Sequence, residues 1–389
     1  MDPKAIETLA VNAVRDSVVV SDFLDQFIAD NDKEPTWDGF VYIYSDKSKK
    51  KEKLKGRLPV QIKGTENDDF SKEEISFPVS TVDLNNYLCD GGAVFFVVYI
   101  GNNGASRQIY YAALPPIKLK IYLADAKEQK SKSIKLKKFP TDPNEKATIF
   151  LQCLEDCQKQ ASFADAPLLS LEELEHQGVL EGISIPVSTV GGTDPKTALL
   201  KNEVYIYAKV KGSAIPQPIE VIPQEMTTHE TLSAHVSIGD RLFYSTVNVF
   251  KSAMTTTTVF GESVSIKTSS NNETVKISYT RSDKLRTMIV DLDFWLSWIE
   301  AGSFQWNGFD FPFDKNTVFP DSKVNEEKSQ LKYAKKMVAL LDLLRCSKDL
   351  NLSSLKDKDW KNIRCLVSAL VDKEPVEHLQ NCLLYTSPS

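Results

Sequence analysis

Residues 93–100 read AVFFVVYI, eight apolar side chains with no polar break. The run is far short of the roughly 20 residues that cross a bilayer. Its β-branched and aromatic content marks it as a strand. A strand with no polar face has to be covered on both sides, which requires a layered α/β architecture around it.

The flanking periodicities supply such layers. Residues 3–14 place Ile6, Leu9, Ala10 and Ala13 at helical spacing. Residues 22–29 read as a second helix, with Ser21 as N-cap and Phe23, Leu24, Phe27 and Ile28 apolar. Residues 30–35 break it. The period then switches to two: a strand at 40–44, a polar tip at 45–56 and a returning strand at 57–63 form a long hairpin. A strand at 77–79, a helix over 80–88, the buried strand, and strands at 108–112 and 118–122 complete a mixed sheet flanked by helices. Residues 127–138 are basic and suit either a linker or a nucleic-acid contact. A helix over 144–161 connects onwards.

Further along, strands are expected at 203–210, 219–222, 233–238, 242–250, 263–268, 274–280 and 287–292. Turn signals at Gly191-Gly192 and Asn271-Asn272 separate several of them. This pattern suits a β-sandwich or barrel-like module. A short aromatic helix follows at 294–299. Trp295, Trp298, Trp306, Phe304, Phe309, Phe311 and Phe313 fit core packing better than base stacking. From Lys323 the pattern is helical, with stripes at Leu331, Ala334, Val338 and Leu341, then Trp360, Ile363, Leu366, Val367 and Leu370. The expected organisation is an α/β domain at 1–140, a helical connector at 141–182, a β-rich recognition domain at 183–315 and a helical tail at 316–381. Residues 382–389 read as an adapter-derived, non-native end.

Charge limits the choice of partner. The chain carries 47 Lys and Arg against 53 Asp and Glu, a net −6. Residues 1–140 sum to +1 and the remainder to −7. Attraction to nucleic acid is therefore confined to local patches. The start has an acidic residue at position 2 and no apolar leader, so a cytoplasmic location without membrane contact is expected. Cys153 and Cys157 sit four apart in a helical pattern with no third ligand nearby, and read as buried free thiols. The four histidines are isolated. No phosphate-binding glycine loop is present.

One constellation carries chemistry. Asp38 begins one strand of the hairpin, and Gln61-Ile62-Lys63 lie on the other. A hard divalent cation needs oxygen ligands, and Asp38, the Gln61 side chain and the Ile62 backbone carbonyl provide them. Positions 61 and 63 of a strand share a face, so Lys63 joins Gln61, where it can hold or deprotonate an attacking water or neutralise a scissile phosphate. A metal there would lower the pKa of water and polarise the phosphoryl group. The competing reading is a turn at Asp38-Gly39 and a solvated polar face. The hairpin tip, 46–57, holds seven basic residues against Asp46 and Glu52. Lys49, Lys50, Lys51, Lys53 and Lys55 are candidates for neutralising a DNA backbone, or for protecting an exposed edge.

Trp37-Asp38-Gly39, Val60-Gln61-Ile62-Lys63-Gly64 and the strand near 94–99 resemble the PD-(D/E)xK restriction-endonuclease-like superfamily in its Gln-x-Lys variant. More narrowly they resemble an uncharacterised bacterial domain family within it, over about the first third of the chain. The resemblance implies magnesium, or manganese, on Asp38 and Gln61, a catalytic Lys63, and an assisting acid from the first helix, here Glu7. It implies a DNA endonuclease in defence against foreign DNA. RNA, self-association and a partner defence protein stay open as further interactions. The alternative is a catalytically inactive nuclease fold kept as a binding or sensor module.

Overall fold

The apolar run is the centre of a seven-stranded sheet. The structure is a computed structural model that describes residues 1–29, 36–220, 222–223, 226–269, 274–312 and 321–375. The expected breaker at 30–35, the Asn271-Asn272 turn, Phe313 and the end at 382–389 lie outside the described residues. The chain divides into two compact units, Met1–Met226 and Thr227–Ser389.

The first unit begins with helix α1 (Pro3–Val19) and strands β1 (Leu24–Ile28), β2 (Gly39–Tyr44), β3 (Leu54–Glu66) and β4 (Glu74–Ser80). Helix α2 (Thr81–Cys89), β5 (Ala93–Gly101), β6 (Ser106–Leu114), α3 (Pro116–Ala126), β7 (Ser131–Lys138) and α4 (Pro143–Gln160) follow. The sheet order is β1-β2-β3-β5-β6-β7-β4, and β3–β5 is its one parallel pair. Helices α1 and α4 cover one face, closing a core with Val41, Val60, Ile62, Phe96 and Val98. Helices α2 and α3 cover part of the other, over Phe95, Val97 and Tyr110. Every residue of β5 is buried except half-buried Tyr99, as its sequence requires.

Three expectations are corrected here. Residues 22–29 are not a helix: 24–28 form β1, paired with β2 over five positions. Leu24 and Ile28 are buried, Gln26 is half-buried, and Asp25 and Phe27 point out. The apolar positions fitted either period, and pairing with β2 decided between them. Ser21 Oγ accepts from Phe23 N–H at 3.3 Å, a turn rather than a helix cap. Residues 118–122 are not a strand but part of α3, because Pro116 at the first helical position pre-sets a helix start. The basic stretch is not a linker: it holds β7, whose Lys132, Lys135 and Lys138 pair with Asp125, Glu74 and Glu73.

Beyond α4 lie α5 (Leu171–His176), β8 (Leu180–Ser184), α6 (Pro195–Lys201), β9 (Tyr207–Val210) and β10 (Gln217–Pro218). The strands form a small antiparallel sheet ordered β10-β9-β8. Cys153 and Cys157 on α4 are buried free thiols, as expected. Below them Asp156 is almost fully buried, accepting from the Tyr207 hydroxyl and from Gln152 Nε2, both at 2.8 Å. Burial pushes its carboxyl from 3.8 up to about 6, while the two donors pull it down. A folded carboxyl harder to ionise than an unfolded one contributes stability that is complete below pH 3.8 and lost as pH rises through about 6. The loss is about 3 kcal/mol. The melting temperature of this unit is therefore expected to fall through that window, and Asp156→Asn to remove that part of the slope. Identical wild-type and variant pH profiles would refute the assignment.

The second unit contains β11 (Thr228–Ile238), β12 (Arg241–Lys251), β13 (Thr255–Phe260), β14 (Val264–Ser269), β15 (Val275–Tyr279), α7 (Leu285–Ala301), β16 (Ser303–Trp306), β17 (Phe309–Pro312), α8 (Asp321–Leu343) and α9 (Asp357–Leu366). Its strands form one curled antiparallel sheet, ordered β15-β14-β13-β12-β11-β16-β17. Instead of a second sheet, α7 packs on it through Leu292, Phe294, Trp295 and Trp298. The expected strand at 287–292 is the first half of α7. Met288, Leu292 and Trp295 recur at helical spacing and are all buried. Strand β13 was not anticipated, since its four consecutive threonines look polar although their β-branching suits a strand. Trp295, Trp298 and Phe304 are core residues, as expected, while Phe309 is exposed. Helices α7 and α8 share a smaller core with the end of the described chain. No helix among the described residues is long and apolar enough to cross a membrane.

Candidate functional site

Asp38 is positioned by backbone on both sides. Its N–H donates to Val60 O at 3.0 Å, and its carbonyl accepts from Ala29 N–H at 2.9 Å. Gly39 follows at φ +143°, so close to β1 that a Cβ there would lie 2.2 Å from the Phe27 carbonyl oxygen. The Asp38 side chain then turns along β3. Its Oδ2 accepts from Ile62 N–H at 2.6 Å and from Gln61 Nε2 at 2.7 Å.

Strand β3 sorts its residues by parity. Val60 and Ile62 enter the core under α1 and α4, and the Gly64 backbone lies against Ile6 and Ala10 of α1. Pro59, Gln61 and Lys63 therefore project from the opposite face. Gln61 is buried at 7% exposure, while Lys63 is exposed. The structure thus brings Asp38 and Gln61 into contact and sets Lys63 one step further along the same face. Ile62 sends its side chain into the core and its N–H to Asp38, which leaves its carbonyl as the group it could offer a cation.

Glu7 is not brought to this place. It is an exposed residue of α1, and α1 covers the other face of β3. A glutamate cannot reach through a packed sheet. Two aromatic residues take positions beside the pair instead. Trp37 lies over Tyr87 of α2, ring centroids 5.0 Å apart. Tyr87 is 1% exposed, and its hydroxyl is pushed up first by burial, then by the charges of Asp83 and Asp38. Nothing in the spacing of an aromatic on an amphipathic helix links Tyr87 to Asp38, 49 residues upstream.

The basic tip is less available than its composition suggests. Lys47 pairs with Asp22, and Lys53 with Asp46. Lys49 donates to the Leu24 carbonyl. Lys55 is exposed on β3. Lys50 and Lys51 remain exposed at the tip.

Among the described residues, no three His, Cys, Asp or Glu side chains are grouped to hold a metal. The donor set is one carboxylate and one amide. Magnesium commonly uses one or two carboxylates and keeps water and phosphate oxygens for the rest. Two of its ligand oxygens on adjacent octahedral positions lie about 3 Å apart, close to the 2.7 Å between Asp38 Oδ2 and the Gln61 amide terminus. Half a turn of that amide exchanges Nε2 for Oε1 and gives the oxygen pair such an ion requires. With that exchange Asp38 and Gln61 could offer a hard divalent cation a sparse protein shell. No family model, curated protein or solved structure matches the chain.

Proposed function

We propose that the first unit is a divalent-metal-dependent endonuclease acting on DNA. The observation that supports this reading is the contact between the Asp38 carboxylate and the Gln61 amide at 2.7 Å, with Lys63 exposed on the same strand face. Asp38 and Gln61 would hold the cation. When bound, it would supply an acidified water and polarise the phosphoryl group. The Ile62 N–H and the backbone clamp on Asp38 keep the carboxylate oriented, so little reorganisation is needed when substrate arrives. Lys63, about 7 Å from Gln61 along the strand, sets a positive charge where a scissile phosphate would lie and can donate a hydrogen bond to the attacking water.

One observation favours a non-catalytic binding module instead. Two N–H donors already satisfy Asp38 Oδ2, and among the described residues no group of three acidic, His or Cys side chains forms around the pair. The two readings separate in one experiment. Supercoiled plasmid and an RNA of similar length are incubated with the full chain and Mg²⁺ or Mn²⁺, with EDTA as control. Metal-dependent nicking is expected. Asp38→Asn, which keeps an acceptor for Ile62 N–H but removes the charge, is expected to reduce it at least about 100-fold. Intact plasmid and RNA at every metal concentration, with retained nucleic-acid binding, would establish the module.

A further inference from the structure

We propose that a cavity on the α4 side of the first unit binds a small tetrahedral oxyanion: phosphate, or the phosphate group of a small phosphomonoester. It lies on the opposite face of the sheet from Gln61 and does not depend on the endonuclease reading.

Strand β7 carries four lysines. Lys132, Lys135 and Lys138 have carboxylate partners, whereas Lys137 makes no ion pair among the described residues. Ile134 and Leu136 enter the core under α2 and α3, so alternation puts Lys137 on the α4 side. Strand pairing sets it beside Tyr111 of β6, whose ring packs on Phe139 at 5.3 Å. Between these two residues, α4 and α6 lies a cavity of about 140 Å³, reached also by Thr193 and Asn202. At about 30 Å³ for each water-sized group, it holds four or five such groups. That is the size of a five-atom oxyanion and too little for a nucleobase.

The acids around the cavity each have a cation of their own. Glu145 accepts from Lys201 at 2.5 Å, and Glu73 faces Lys138 at 3.5 Å. Glu203 accepts from Lys118 at 2.8 Å and from the Tyr205 hydroxyl. Lys137 adds to the positive field on Glu203 without bonding to it. The surplus is therefore one positive charge, on Lys137.

The neutral groups left over are donors. Among the described residues, neither the Tyr111 hydroxyl nor the Asn202 amide makes a side-chain hydrogen bond. Burial first, and then the charge of Glu203, pushes the Tyr111 hydroxyl up, so it keeps its proton. The Thr148 hydroxyl donates to Thr193 Oγ1 at 3.4 Å, which leaves the Thr193 proton for the cavity. The Thr197 hydroxyl is already used on Asp194 at 2.9 Å. One ammonium and three neutral donors thus come from β7, β6, the end of α6 and the loop before it. A planar carboxylate offers two oxygens in one plane. A tetrahedral oxyanion offers acceptors on every side, and its bonds to an ammonium are of the stronger, charge-assisted kind.

The test is isothermal titration calorimetry of the full chain at physiological ionic strength, with inorganic phosphate, glycerol 3-phosphate and acetate as titrants. Saturable one-to-one binding of phosphate or glycerol 3-phosphate is expected with a Kd below about 1 mM, and acetate about tenfold weaker or worse. Lys137→Gln and Tyr111→Phe are each expected to weaken binding about tenfold, the value of one hydrogen bond to a charged group. Lys137 is exposed, so its variant is expected to melt with the wild type in the absence of ligand. Lys135→Gln, two residues along β7 and outside the cavity, is expected to leave binding unchanged. Tighter glycerol 3-phosphate assigns a phosphomonoester, and tighter phosphate assigns the free ion. No saturation by about 10 mM, acetate binding as well as phosphate, or an unaltered Lys137→Gln would overturn the proposal. So would a Lys135→Gln loss equal to that of Lys137→Gln, because it would show only the diffuse charge of a lysine-rich strand.

Discussion

Under the proposed endonuclease reading, Lys63→Ala is expected to yield a folded protein whose metal-dependent DNA cleavage is down by about 10²–10⁴-fold, the range for losing a group that acts on the reacting atoms. Lys63 is exposed and lies on β3, paired with Val97 of the central strand. Truncating it removes no core contact, so the melting temperature should hold within about 1 °C, since surface changes of this kind are usually within 0.5 kcal/mol. Lys63→Arg separates its two roles. An arginine keeps the charge but cannot give up its proton. Substantial recovery would assign charge neutralisation; no recovery would assign proton transfer or the specific ammonium geometry. Unchanged cleavage in Lys63→Ala would remove Lys63 from the site altogether.

Gly39→Ala is expected to have the largest effect on stability. The backbone there has φ +143°, which side-chain-bearing residues rarely adopt. An added Cβ would come within 2.2 Å of the Phe27 carbonyl oxygen and 2.6 Å of Ile28 Cα. Both obstacles are backbone, so relief requires β1 to separate from β2 or the chain to change conformation. Strain and lost pairing together should cost about 3 kcal/mol. The same movement would shift Asp38 from its bonds to Ile62 and Gln61, so cleavage should fall with stability. Urea titration followed by the first unit's own transition measures the loss. A variant within 0.5 kcal/mol of wild type would mean that the close approach of the two strands is not obligatory.

The residues that were easiest to interpret were those whose environment leaves one option. An eight-residue apolar run can only be a strand covered twice, and it is. The hairpin of 40–44 and 57–63 was set by clear alternation, and the pairing of Gly39 with Val60 follows. Proximity of Asp38 to Gln61 came with that register. What remained hidden was decided by tertiary contact. Residues 24–28 satisfy helix and strand periods alike until β2 is beside them. Glu7 looked suitable because a helix position says nothing about which face of a sheet the helix will cover. The tip lysines looked like a phosphate surface because composition counts charges but not the aspartates and carbonyls that fold against them. In 287–292, β-branched residues concealed a helical stripe that only becomes evident when Met288, Leu292 and Trp295 are seen on one side.

The parallel pairing of β3 with β5 has a consequence for synthesis. The β1–β2–β3 meander can assemble once residue 66 has emerged, but its inner edge has no partner until residues 93–101 follow. A nascent chain that has released residue 66 but not residue 93 holds an unpaired β3 edge, with α1 on one face and α4 still to come. A translational pause that prolongs this state is expected to raise the share of nascent chain lost to aggregation.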